Sequence, residues 1–194
     1  MAIRNQLIKF EDSVRKILKD AITEKEIVER LKPHFQTLLQ TKDLLPAEYK
    51  KPSSDKYSQF LLYKPEDEVF SIVGFVWGPG QTAPIHDHLV WGLVGIYEGA
   101  IEETRYRKVP GATGEQGYTL EIIDVVHVNR NDISFVYPPN ADIHSVRNPS
   151  EQPAITIHVY GTDIGKQQRH IYHQDTHATS DVITVHKNSS PIYS

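Results

Sequence analysis

Two histidines separated by one residue, His86 and His88, are the first indication of chemistry in this sequence. Imidazole is the commonest metal ligand in proteins, and residues i and i+2 of a β-strand point to the same face. The pair can therefore bind one ion, with Asp87 between them pointing away. A His-x-His pair alone is also typical of surface histidines, so its surroundings decide. The chain has 10 histidines and no cysteine, which excludes cysteine zinc sites, iron–sulfur clusters and thiol nucleophiles.

The surroundings of the pair contain small and polar residues at fixed spacings. They are Gly80, His86, His88, Gly92 and Gly99, followed downstream by Pro139, His144 and Asn148. With these spacings the chain resembles the cupin superfamily, whose fold is a double-stranded β-helix, or jelly roll. The resemblance implies that His144, from a facing strand, is the third metal ligand beside His86 and His88.

The implied ligand set differs from that of many metal cupins. They have a glutamate ligand where this chain has Gly92, and the nearby carboxylates Glu98, Glu102 and Glu103 are out of register. Three neutral imidazoles leave a divalent ion its full charge, so the site should attract anionic ligands. An all-histidine triad resembles that of thiol dioxygenases of the cysteine dioxygenase type. Residues 55–173 resemble this family, and its bacterial branch in particular on the residues Trp91-Gly92-Leu93, Gly99 and Tyr106.

Three alternating polar residues, Thr156, His158 and Tyr160, share one face of a predicted strand. Alone, this pattern is typical of a half-buried strand. They match the Ser-His-Tyr triad of the family, with threonine in place of serine, and the resemblance implies a catalytic role. Animal members also carry a cysteine–tyrosine crosslink, which cannot form here because the chain has no cysteine.

Two further positions concern the substrate. Animal cysteine dioxygenases have an arginine for the substrate carboxylate where this chain has Gln59, and glutamine offers no charged fork. The glutamine-type bacterial members resemble 3-mercaptopropionate dioxygenases, whose carboxylate-binding arginine comes from the C-terminal segment. Arg169 is the residue that resembles it. The resemblance therefore implies that Arg169 and Gln59 bind substrate.

The implied activity is that of a non-haem enzyme with one Fe(II) per chain. It would add both atoms of O2 to a small thiol carboxylate and release the sulfinate, with Tyr160 contributing hydrogen bonds. Iron is expected because this oxidation needs a redox-active metal, and zinc has no accessible redox chemistry. 3-Mercaptopropionate is the favoured substrate, L-cysteine is the main alternative, and mercaptosuccinate follows.

Two other functions remain open on the sequence. A cupin enzyme with another metal is one of them, since a fold does not determine a reaction. A non-catalytic cupin that binds a small acid is the other, and metal content would distinguish it. A further histidine group, His170, His173 and His177, has helical spacing in a polar segment without helix signals, and no second metal site is predicted there.

The elements that must position these residues predict a mainly β fold. Residues 1–45 form a helical extension, in which Thr23-Glu24-Lys25-Glu26 is a capping box and Pro33 kinks the second helix or shifts its start. Residues 55–173 alternate short β-branched runs with turns, which predicts an antiparallel sandwich or barrel. The resemblance to cupins implies that it is a jelly-roll barrel with the helices packed on it. The candidate strands are 57–63, 70–77, 92–97, 101–108, 117–128, 133–137 and 154–160. Residues 174–194 are predicted to be a loosely held tail with a short strand at 182–185, completing a single domain over 1–194.

Charge and hydropathy exclude several partners. The formal net charge is −4, so neither a nucleic-acid surface nor a polybasic membrane patch is predicted. No apolar run approaches the roughly 20 residues of a membrane span. The first residues lack the apolar core of a secretory signal, so the cytoplasm is the expected compartment. The sequence leaves open whether the chain forms a homo-oligomer.

Overall fold

Two helices form the N-terminal part of the chain. In the computed structural model, which describes residues 2–110 and 118–194, α1 spans Ala2–Asp20 and α2 spans Glu24–Leu39. Thr23 caps α2, because its Oγ1 accepts a hydrogen bond from the Glu26 N–H at 3.2 Å. The Glu26 carboxylate accepts in return from the N–H of Ile22, one residue before the cap. The predicted second helix is therefore confirmed, and it continues through Pro33.

Eleven strands follow in the part of the chain that the structure describes, after a short 3-10 helix at Ala47–Tyr49. They are β1 Ser58–Tyr63, β2 Ser71–Trp77, β3 Thr82–His86, β4 Gly92–Glu98, β5 Ala100–Pro110, β6 Tyr118–Asn129, β7 Ile133–Val136, β8 Ile143–Arg147, β9 Ala154–Tyr160, β10 Arg169–His173 and β11 Ala178–Val182. The seven runs predicted as strands coincide with seven of these within three residues at their ends, as far as they are described.

The strands form two antiparallel sheets. One sheet has the order β1-β2-β9-β4-β7, and the other has the order β11-β10-β3-β8-β5-β6. Strands distant in sequence lie side by side, as β2 and β9 do, and such crossovers between two facing sheets are typical of a jelly roll. The fold is a mainly β double-stranded β-helix with N-terminal helices packed on it, as predicted.

Strand β9 shows how one sequence serves both faces of the five-stranded sheet. All seven of its residues are buried. Ile155, Ile157 and Val159 pack in one cluster with the two helices, whereas Ala154 and Tyr160 pack in the cluster between the sheets. Because side chains alternate along a strand, the polar residues of β9 face the interior of the barrel. The helices thus bury one face of this sheet and leave the other for the site.

A glycine allows the helix to approach the sheet closely. A Cβ atom at Gly95 of β4 would lie 2.3 Å from Leu39 Cδ1 and 2.9 Å from Phe35 Cε1. Such distances are far inside van der Waals contact. Gly95 therefore leaves the space that the C-terminal end of α2 fills.

Three short strands that carry site residues, β3, β8 and β10, are absent from the predicted set. Each has five residues and few apolar side chains, so its alternation is too short to stand out. The strand expected at 182–185 is wrong, since β11 spans Ala178–Val182. Gly111 and Gly117, which belong to a predicted turn and strand, lie outside the described residues.

The C-terminal segment is held along β1. The Lys187 N–H donates to the Gln59 carbonyl at 2.8 Å, and the Tyr193 N–H donates to the Leu62 carbonyl at 2.8 Å. The Asn188 side chain bonds the backbone of Leu61 as donor and acceptor. The prediction of a loosely held tail is wrong because β1 is an edge strand, whose unpaired backbone groups can bind a polar segment.

Neither helix in residues 2–110 and 118–194 is long and apolar enough to cross a membrane.

Candidate metal centre

Three histidine side chains converge where β3 and β8 pair. His86 ends β3 and lies opposite His144 of β8, and His88 follows two residues beyond the end of β3. The ring centroids are 4.8, 4.8 and 4.9 Å apart, and one ring nitrogen from each histidine lies within 4.8 Å of the other two. The structure thus brings together the three residues that were predicted as ligands.

The Nδ1 atoms of the first two rings face oxygen acceptors. His86 Nδ1 lies 2.8 Å from the Pro84 carbonyl oxygen, and His88 Nδ1 lies 3.3 Å from the Asp142 carbonyl oxygen. A carbonyl oxygen only accepts, so Nδ1 carries the ring hydrogen and Nε2 keeps a lone pair. The buried Nε2 of His88 has no hydrogen-bond partner among the described residues. An unpaired buried nitrogen of this kind suits a metal ion.

Glu103 lies behind the third ring. It is 1% exposed, and its carboxylate accepts hydrogen bonds from His144 Nδ1 at 2.7 Å, from Arg105 Nη2 at 3.2 Å and from the Ser134 hydroxyl. Burial alone would raise the pKa of Glu103, but its interactions with His144, Arg105 and Ser134 lower it to about 2. The ionised carboxylate holds the ring hydrogen on Nδ1, so His144 also offers Nε2.

The rings of His86 and His88 are neutral at physiological pH. Burial lowers the pKa of His86 and of His88 well below the usual value, and the neighbouring imidazole of His144 lowers both further. Burial also raises the pKa of Asp142, although its carboxyl accepts hydrogen bonds from the N–H groups of His88 and Leu89. Three imidazole nitrogens, in rings whose tautomers are fixed by their hydrogen-bond partners, form a donor set that a divalent transition metal can bind.

The position of Gly92 explains why no glutamate ligand stands there. A Cβ atom at Gly92 would lie 2.7 Å from Cδ1 of Tyr160. The tyrosine ring therefore fills the space that a larger side chain would need. The same ring stacks on His88, with centroids 5.3 Å apart and an interplanar angle of 18°.

The predicted polar residues of β9 form one hydrogen-bonded chain. Thr156 Oγ1 lies 2.7 Å from His158 Nε2, and His158 Nδ1 lies 2.8 Å from the Tyr160 hydroxyl. The indole N–H of Trp77 donates to Thr156 Oγ1 at 3.0 Å, a partner that the sequence did not indicate. Burial lowers the pKa of His158 and raises that of Tyr160, so both are neutral near pH 7.

A cavity of about 350 Å³ lies beside the histidines. Its walls include Gln59, His86, Arg169 and Thr184. A pocket of about 20 Å³ among His144, His158 and Tyr160, about the volume of a water molecule, shares Tyr57, His86 and Arg169 with that cavity. The structure thus places both predicted substrate residues in the wall of the same cavity as His86, a predicted ligand.

Both of these side chains are buried and contact the C-terminal segment. Arg169 is 6% exposed, and its Nη2 donates to Thr184 Oγ1 at 3.0 Å. Gln59 is 3% exposed, and its Nε2 donates to the Thr184 carbonyl at 3.1 Å and lies 3.0 Å from His186 Nδ1. Thr184 and His186 were missed, since no local pattern in a polar tail marks them as site residues.

The remaining histidines of β10 and its turn have separate partners. His170 Nδ1 lies 2.8 Å from the Asp87 carboxylate, which also accepts from the Tyr172 hydroxyl at 2.8 Å. His173 bonds the Ser180 hydroxyl, and His177 bonds the Tyr118 carbonyl. Asp87 points away from the triad as expected, and these three histidines do not converge.

Fold and site together define a class, that of cupins with a three-histidine centre suited to a metal. The profile of the family described as "Cysteine dioxygenase type I" matches residues 6–174. The chain belongs to that family, which comprises thiol dioxygenases, metal-containing oxidoreductases that act on small thiols with O2.

Solved structures with a double-stranded β-helix are similar to this chain at low identity. An uncharacterised protein of this fold from Klebsiella pneumoniae is 20% identical, with a TM-score of 0.44 over 58% of this chain and 78% of that one. The TT1209 protein of Thermus thermophilus is 20% identical, with a TM-score of 0.44 over 63% and 96%. An oxalate oxidase in complex with glycolate is 16% identical, with a TM-score of 0.43 over 63% and 62%.

Proposed function

We propose that the chain is an Fe(II)-dependent dioxygenase that converts 3-mercaptopropionate and O2 to 3-sulfinopropionate. The observation that carries this proposal is that Arg169 and the triad histidine His86 line the same two cavities. The substrate joins a thiol to a carboxylate through two carbons, so its thiol could reach the metal while its carboxylate reaches Arg169. His86, His88 and His144 would hold one iron per chain.

The donor set fits this metal. Three imidazole Nε2 atoms suit iron among other transition metals, and the orphaned Nε2 of His88 is buried. Bound Fe(II) would supply the redox-active centre through which a thiolate and O2 react. Asp142 and Glu103 keep the rings oriented through their Nδ1 hydrogens.

Arg169 is suited to bind the substrate carboxylate. Its guanidinium is buried, and in the described part of the chain it contacts a hydroxyl and no carboxylate. Burying a charge without a counter-ion is costly, so an anionic ligand would compensate it. Its Nε is also buried without a hydrogen-bond partner among residues 2–110 and 118–194. A carboxylate can satisfy both needs with a charge-assisted hydrogen bond.

The Thr156–His158–Tyr160 chain would present a hydroxyl donor to the site. The Trp77 N–H donates to Thr156 Oγ1, and in the proposed arrangement the Thr156 hydroxyl donates its hydrogen to His158 Nε2. His158 Nδ1 then carries the ring hydrogen and donates to the oxygen of Tyr160. The hydrogen of Tyr160 is left to donate to substrate or oxygen in the small pocket, and its raised pKa keeps it in place.

L-Cysteine is the second candidate substrate, and one observation favours it. Gln59 Oε1 is buried and has no partner among the described residues. The ammonium group of cysteine could donate to this oxygen while Arg169 binds the carboxylate. 3-Mercaptopropionate lacks that donor, so its complex would leave Oε1 to a water molecule.

The proposal is tested by iron content and thiol-dependent O2 uptake of wild type and His144→Ala. Wild type should hold close to one iron per chain and consume O2 with a thiol acid, and the variant should lose both. His127→Ala is the matched control, because His127 is an exposed histidine on β6. Retention of iron and uptake by His144→Ala would refute the ligand assignment. Absence of iron in wild type would indicate a small-acid-binding cupin, and iron without uptake would indicate another cupin chemistry.

A further inference from the structure

The C-terminal segment 183–187, here named the strap, forms one wall of the larger cavity. Four residues of the strap line that cavity, and none of them belongs to a strand. They are Ile183, Thr184, Val185 and Lys187. The strap lies directly after β11 and is anchored to β1 through the Lys187 N–H and the Gln59 carbonyl. It therefore borders an edge strand and lines the proposed substrate site together with Gln59 of that strand.

Thr184 contacts both proposed substrate-binding side chains, one through its hydroxyl and the other through its backbone carbonyl. Its hydroxyl oxygen accepts from Arg169 Nη2 at 3.0 Å, and its carbonyl oxygen accepts from Gln59 Nε2 at 3.1 Å. Because a carbonyl only accepts, the amide of Gln59 must turn its NH2 group toward the strap. Oε1 is thereby left as the group of Gln59 without a partner among the described residues.

His186 holds the same amide from a second side. Its Nδ1 lies 3.0 Å from Gln59 Nε2, and its Nε2 lies 2.9 Å from the Asp163 carboxylate. The Lys64 ammonium donates to the same carboxylate at 2.7 Å. Burial would raise the pKa of Asp163, but the bonds from Lys64 and His186 lower it. An ionised Asp163 keeps the hydrogen on Nε2, so Nδ1 accepts from Gln59.

We infer that the strap forms part of the substrate site and that Thr184 is a positioning residue for Arg169 and Gln59. Its hydroxyl holds the Arg169 guanidinium where a substrate carboxylate can reach it, and its carbonyl, with His186, orients Gln59. This inference rests on the proposed function, because it takes Arg169 as the carboxylate-binding residue. A thiol without a carboxylate, such as cysteamine, makes no use of this arrangement.

Thr184→Val tests the inference, because valine keeps the shape and the backbone carbonyl but removes the hydroxyl. The KM for 3-mercaptopropionate should rise about tenfold, as expected for the loss of one hydrogen bond to a charged group. The KM for cysteamine should stay within about twofold, and kcat should change less than KM. Thr184→Ser keeps the hydroxyl and should restore the wild-type KM. Thr184→Ala is the second variant if valine prevents folding.

A binding measurement separates this inference from the proposed function. Calorimetry on the zinc-loaded protein, which cannot turn over, should give a Kd for 3-mercaptopropionate about tenfold higher in Thr184→Val and unchanged for cysteamine. Equal changes for both thiols, or none for either, would overturn the inference. Wild type without O2 uptake for any thiol would refute the proposed function instead, and the calorimetric comparison would still decide the role of Thr184.

Discussion

Replacing Glu103 by glutamine changes how the ring of His144 is held. In the wild type one carboxylate oxygen accepts from His144 Nδ1 at 2.7 Å, and the other faces two donors, Arg105 Nη2 and the Ser134 hydroxyl. Glutamine has one oxygen in place of two. Since a guanidinium can only donate, the amide oxygen should turn toward Arg105 and Ser134. The NH2 group then faces His144 Nδ1.

The expected loss of metal affinity follows from this reversal. His144 Nδ1 would have to accept a hydrogen bond, so the ring hydrogen would move to Nε2, the atom needed for the metal. Loss of such a partner usually reduces metal affinity 10–100-fold, which corresponds to about 1.4–2.7 kcal/mol. Because the variant also favours the wrong tautomer, we expect the upper end, about a 100-fold higher Kd.

The assay is a competition titration of the metal-free proteins with Zn(II) and a chelator of known affinity. Glu102→Gln is the matched control, because Glu102 is the adjacent residue on β5 and pairs with Arg147 at the surface. Its Kd should equal that of wild type. A Kd for Glu103→Gln within threefold of wild type, or an equal loss in Glu102→Gln, would refute the reasoning.

Three further predictions concern other groups of the site. Arg169→Ala should raise the KM for 3-mercaptopropionate about 10–100-fold and that for cysteamine less than threefold in steady-state O2 uptake; equal increases would contradict the role of Arg169. Tyr160→Phe should lower kcat about 100-fold with unchanged iron content, and wild-type kcat would exclude Tyr160 as a donor. The pKa of Glu103 is lowered on folding from 4.5 to about 2, so its ionised form stabilises the folded metal-free protein above pH 4.5. This contribution, on the order of 3 kcal/mol, should vanish as the pH falls from 4.5 toward 2. Urea unfolding across this range should therefore show a shrinking difference in the free energy of unfolding between wild type and Glu103→Gln. A difference that stays constant would refute this prediction.

Local spacing predicted that His86 lies beside His88 and that the polar residues of β9 share a face, because strand geometry acts over two residues, whereas His144 was added by the resemblance to cupins. His86 and His88, or His158 and Tyr160, lie on one face whenever the chain is extended. In the structure β3 ends at His86, yet the ring of His88 still lies beside those of His86 and His144. The strands of the barrel were predictable for the same reason where their apolar alternation was long.

The partners of these residues depend on contacts that no local pattern encodes. Glu103 meets His144 across 41 residues, because β5 and β8 pair in a particular register. Gln59 meets Thr184 across 125 residues, at the edge of a sheet. The sequence placed Glu103 out of register for metal binding, but its hydrogen bond to the ring of His144 could not be predicted without the pairing register of β5 and β8. The polar tail was misjudged because hydrogen bonds to an edge strand leave no apolar signature.

The central claim is tested most directly by O2 consumption of the Fe(II)-loaded protein with four thiols, followed by identification of the products. The thiols are 3-mercaptopropionate, L-cysteine, cysteamine and mercaptosuccinate. The account predicts the highest kcat/KM with 3-mercaptopropionate and one 3-sulfinopropionate formed for each O2 consumed. Faster uptake with L-cysteine would keep the thiol dioxygenase and overturn the assignment of its substrate. No uptake with any of the four, despite bound iron, would contradict the account.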